Sequence, residues 1–106
     1  MAEIFLSYSH EDKTKVEPLA RALEAQGWIV FWDKRIPAGK SWSDVLEEQL
    51  SGAKCVIVVW SARSVRSDWV REEAENARNR RVLIPILIED VMPPMGFQRI
   101  QKCLLI

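Results

Sequence analysis

Short runs of apolar residues alternate along this chain with stretches whose apolar positions recur every three or four residues. "EIFLSY" (3–8), "WIVFW" (28–32), "KCVIVVW" (54–60) and "RVLIPILI" (81–88) have the length and content of strands, and "KCLLI" near the C-terminus reads as a short fifth. Between them, Val16, Leu19, Ala20 and Leu23 predict a helix that Gly27 ends. Trp42, Val45, Leu46 and Leu50 predict a second, closed by Gly52. A third lies in "SDWVREEAENARNR" (67–80), just after the loop "SARSVRS". Thr14 and Glu17 have the spacing of a capping box, with Pro18 confining the turn beside them. "KCVIVVW" is apolar throughout, as a central strand buried on both faces requires. Pro85 cannot donate to a ladder, so a bulge or an unpaired position is expected there.

Strands alternating with helices indicate a parallel sheet covered on both faces. Right-handed crossovers then favour a flavodoxin-like three-layer α/β sandwich, with five parallel strands in the order 2-1-3-4-5. No helical pattern follows the fifth run, so the final helix is expected to be missing and part of one sheet face bare. Residues 1–106 thus read as a single domain cut from a longer protein. In such a sheet a ligand sits beyond the carboxyl ends of strands 1 and 3, where the winding reverses. The loops there are "SHEDK" and "SARSVRS", and the second leads into the carboxylate-rich helix.

Composition excludes several functions. Fifteen basic and fifteen acidic residues balance, so no global field draws the chain to nucleic acid or to an anionic membrane. The apolar runs are too short to span a bilayer, and "MAEIFLSYSH" lacks the pattern of a signal peptide, which places the chain in the cytoplasm. Cys55 and Cys103 are isolated and there is one histidine, so neither a metal site nor a disulfide framework is expected. No G-x-G-x-x-G or phosphate-binding loop occurs, which argues against dinucleotide binding of the Rossmann type. Strand 3 ends "VVWSAR", without the aspartate that a phosphoacceptor receiver domain needs there.

The third helix offers Asp68, Glu72, Glu73 and Glu75 beside Trp69. At about 100° per residue, with Trp69 at zero, Val70, Ala74 and Ala77 fall between roughly 80° and 140°. Glu73 falls at about 40°, inside an apolar arc drawn from Trp69 to Ala74, whereas Glu72 and Glu75 fall near 300° and 240°. Glu73 alone interrupts the apolar face. Two readings stand: a working carboxylate in a cleft, or a structural ion pair with Arg80 or Arg66.

Taken together, "FLSYSHED", "DKRIPAGKSW" and "SDWVREE" resemble, in order, the first-strand box, the loop after the second strand and the W-x-x-x-E pattern of Toll/interleukin-1 receptor (TIR) domains, particularly the bacterial, NAD-cleaving ones. The resemblance covers nearly the whole chain. It implies a catalytic role for Glu73, with Trp69 as the motif tryptophan. It also implies substrate contacts from Ser9, His10, Trp42 and Trp69, and a protomer-contact loop containing Asp33, Arg35, Pro37 and Gly39. The activity so implied is cleavage of the nicotinamide–ribose bond of NAD+, which is substrate rather than cofactor. It would be switched on by head-to-tail association with other TIR domains in bacterial signalling or defence. Many family members instead only recruit partners, so a non-catalytic scaffold is the alternative.

Plainer explanations stand beside these roles. Trp42 shares helical spacing with Val45 and Leu46, which core packing explains as well as ligand stacking. A lone loop histidine such as His10 is commonly solvated. Ser7 alternates with apolar neighbours in strand 1 and reads as structural, leaving Ser9 as the pocket hydroxyl. The "RNRR" run (78–81) reads as a solvated helix end. Ser9, His10 and Asp12 are too close in sequence to act as separately held nucleophile, base and orienter.

Overall fold

The computed structural model describes residues 3–32, 42–94 and 103–104, and for Trp42–Asp44, Leu46, Cys103 and Leu104 the backbone alone. Its strands are β1 (Ile4–Ser7), β2 (Val30–Phe31), β3 (Cys55–Trp60), β4 (Leu83–Leu87) and β5 (Cys103–Leu104). They form one sheet in the order β2-β1-β3-β4-β5, with all neighbours parallel, as the alternating pattern requires. The described helices are α1 (Lys13–Ala25), α2 (Trp42–Gly52) and α3 (Asp68–Asn79).

Because successive strand residues point to opposite faces, the sheet carries two cores. On one face Phe5, Val56, Val58, Trp60 and Leu87 pack against Val70, Ala74 and Ala77 of α3. On the other, Ile4, Leu6, Ile57, Val59 and Ile86 meet Val16 and Ala20 of α1. Among the described residues this second face is incompletely covered. A groove of about 380 Å³ runs past Ile4, Leu23, Trp28, Cys55, Ile57 and Ile84, and Ile84 is 46% exposed. No helix among the described residues is long and apolar enough to cross a membrane.

Three expectations about the elements are corrected. Pro85 makes no bulge: the register runs unbroken from Val56↔Leu83 to Trp60↔Leu87, with Pro85 opposite Val58. The reason lies in the ladder. Val56 N–H donates to the Val82 carbonyl and Ile88 N–H to that of Trp60, so even-numbered residues of this segment bond to β3. Pro85, being odd, directs its nitrogen away from β3 and interrupts nothing there. The Thr14–Glu17 capping box does not form, because a 3₁₀ turn at His10–Asp12 precedes α1 and puts Asp12 at the N-cap. Both residues therefore lie inside the helix. Finally, β2 is only two residues long, with Trp28 and Ile29 exposed before it.

Two helix ends follow their local chemistry. Gly27, at φ 94°, accepts the left-handed turn after α1, its N–H bonded to the Glu24 carbonyl at 2.9 Å. Helix α3 starts at Ser67, whose hydroxyl accepts the Val70 N–H at 3.3 Å. It ends with Arg81 N–H donating to the Arg78 carbonyl and Val82 N–H to that of Ala77. That pair of bonds is a Schellman cap, and it places Arg81 at φ 61°. Arg81 therefore belongs to the helix cap and not to the strand.

Candidate active site

The strand order reverses its winding between β1 and β3, so the ends of these two strands define the site. Ser7 closes β1 and Trp60 closes β3. From α3, Glu73 reaches the end of β1, where Ser7 Oγ donates to Glu73 Oε1 at 2.7 Å. Both side chains are buried, Ser7 completely and Glu73 to 3% exposure. At 2.7 Å the bond has the usual length of an O–H···O hydrogen bond.

Helix α3 produces this placement through its pattern. Val70, Glu73, Ala74 and Ala77 are its buried residues. Glu72 and Glu75 are exposed, Glu75 in a bridge with Arg78 at 2.6 Å. Asp68 pairs with Arg71 in the same outward layer. The expected arc was too wide at one edge, since Trp69 is 38% exposed. Val70 and Ala77 centre the buried stripe near 90°, which puts Trp69 about a quarter turn from its centre and beyond its edge at Glu73. Arg80, one of the structural partners considered for Glu73, instead donates to the carbonyls of Leu50 (2.6 Å) and Ala53 (3.0 Å), and Arg66 is exposed.

The first loop is organised differently from expectation. Ser9 is buried, but its hydroxyl donates to Glu11 within its own turn, and His10 is exposed. That hydrogen bond is the main reason the exposed Glu11 carboxyl titrates below its ordinary range. The hydroxyl in contact with Glu73 is that of Ser7. Strand parity already held the signal: Ser7 lies two residues from Phe5, hence on the face that α3 covers.

A second buried group at this edge was not foreseen. Asp12, fully buried, accepts a hydrogen bond from Ser61 Oγ just beyond β3, and Arg63 Nη1 lies 3.8 Å from its other oxygen. Ser64 completes the turn, donating to the Val59 carbonyl at 2.8 Å and accepting the Ser61 N–H at 2.7 Å. The loops after β1 and β3 are thus tied together, which fixes the start of α3. Among the described residues no cluster of three or more His, Cys, Asp or Glu is arranged to hold a metal ion. Asp33, Arg35, Pro37 and Gly39 lie outside the described residues, as does the Trp42 side chain. The chain enters residues 33–41 from the carboxyl end of β2, next to β1.

Several solved structures that contain TIR domains share this architecture. The TIR domain of the Toll-related receptor TRR-2 from Hydra magnipapillata superposes with a TM-score of 0.89 at 19% identity, over 99% of this chain and 85% of that one. The TIR domains of the activated Roq1 resistosome, which directly recognises the pathogen effector XopQ, give 0.70 at 29% identity, over 84% of this chain and 58% of that one. A metazoan TIR-STING receptor from C. gigas, in complex with 2',3'-cGAMP, gives 0.79 at 24% identity, over 99% of this chain but 35% of that one. None of these is described as bacterial, so the structural likeness reaches the fold and not the bacterial type. No curated protein matches the sequence. The family model for the TIR domain matches residues 4–105, and the chain belongs to that family.

Proposed function

We propose that this TIR domain cleaves the bond between nicotinamide and ribose in NAD+ and that assembly of protomers activates it. One observation carries the reading: the W-x-x-x-E glutamate, Glu73, is the carboxylate that α3 turns inward to the end of β1. Nicotinamide leaves as a neutral ring, so the bond needs no acid to protonate it. Positive charge develops on the ribose instead, and a fixed carboxylate lowers the energy of that oxocarbenium-like state. Water attack yields ADP-ribose, and attack by the adenine end yields a cyclic product. Assembly is supported by the resistosome, in which TIR domains are part of an activated complex.

A scaffold without chemistry is the second reading, and the 3% exposure of Glu73 favours it. Concentrated protein incubated with NAD+, with products separated by chromatography, distinguishes the two. The enzyme reading expects nicotinamide release that falls by about 100-fold or more in Glu73→Gln, the magnitude typical of a lost electrostatic stabiliser. Self-association without nicotinamide release, even on a crowding matrix, establishes the scaffold. An equally active Glu73→Gln removes Glu73 from the chemistry.

A further inference from the structure

We infer that Ser7 is the positioning residue of this site, holding the Glu73 carboxylate in one orientation; the inference rests on the reading of Glu73 given above. The face of the sheet under α3 carries the apolar cluster that includes Phe5, Val58, Val70 and Ala74. A serine and a glutamate buried in such a face cost stability that an alanine with an aliphatic side chain at these positions would not. Orientation gives the pair a role that does not depend on stability. A glutamate on a helix has three rotatable bonds, and ordering it costs up to about 2 kcal/mol of side-chain entropy. Ser7 is on a strand, fully buried, and held in register opposite Val58 of β3, two residues after Phe5, which pairs with Phe31 of β2. Its hydroxyl is thus a donor fixed by the sheet. By bonding one carboxylate oxygen at 2.7 Å, it selects a single orientation before substrate arrives.

A hydroxyl with this role acts on turnover more than on binding. In steady-state NAD+ cleavage by the assembled protein, Ser7→Ala is expected to lower kcat by roughly 10- to 100-fold and to leave KM within about three-fold, as loss of orientation does. Ser7→Thr keeps the donor and is expected to recover most of kcat. Ser7→Cys, close in shape with a weak donor, is expected to fold and still lose kcat. In a Glu73→Gln background Ser7→Ala should change little further, because its effect passes through the carboxylate. An active wild type with an equally active Ser7→Ala overturns this inference alone. So does a threonine variant no better than alanine at matched unfolding midpoints. An inactive wild type overturns it together with the proposed function.

Discussion

The hydroxyls of Ser7 and Ser9 are two residues apart on one segment and have different partners, and the difference is set by parity and solvent. Ser7 lies on the face of β1 that α3 covers, so its donor meets a buried carboxylate. Ser9 follows the strand and bonds to Glu11, a fully exposed group whose carboxyl is lowered chiefly by that bond. A depressed carboxyl contributes stability above its unfolded pKa and loses it as pH falls through the folded value. Ser9→Ala is therefore expected to move the Glu11 titration upward, toward the ordinary carboxylate range. The Glu11 side-chain carbon signal followed by NMR from acid to neutral pH measures this. An unmoved midpoint would show that Ser9 is not bonded to Glu11 in solution and is available to a ligand.

At the scale of elements, what the sequence reveals depends on whether a feature repeats. The strand order and the buried stripe of α3 rest on periodicities sustained over whole segments, and both are legible in the pattern. Glu73 is legible for the same reason, as one polar break in an apolar arc. Features set by a single long-range contact are not. The bond between Asp12 and Ser61 joins residues 49 apart, and neither has a local signature, so the tie between the two loops stays hidden. Helix ends are intermediate. Gly27 announces the end of α1, but α3 stops at Arg81 without a glycine. Left-handed backbone is unfavourable for a side chain with a Cβ, and the exposed Arg81 enters this cap through its backbone N–H. Arg81→Gly should thus stabilise the domain by about 0.5–1 kcal/mol, read as a higher urea midpoint at unchanged slope. A lower midpoint would mean that the side chain outweighs the backbone strain.

For the whole molecule, the proposed activation by assembly rests on residues 33–41. The chain enters residues 33–41 from the carboxyl end of β2, beside the strand whose end carries Ser7 and so the Glu73 contact. If a protomer binds through that segment, as proposed, assembly and activity should rise and fall together. A head-to-tail contact joins different surfaces of the two copies, and such contacts extend into open chains unless the rotation closes them. With a net charge of zero, long-range repulsion between copies is weak, so association should be governed by this local contact. Pro37→His and Gly39→Pro are therefore expected to reduce sedimentation of concentrated protein and NAD+ turnover together, with the unfolding midpoint retained. Dilution of the wild type should lower turnover per molecule in the same way, since it removes the neighbour and leaves every residue in place. Turnover that is independent of concentration, together with loop variants that sediment like wild type, would place the entire site within one protomer and assign residues 33–41 no part in assembly.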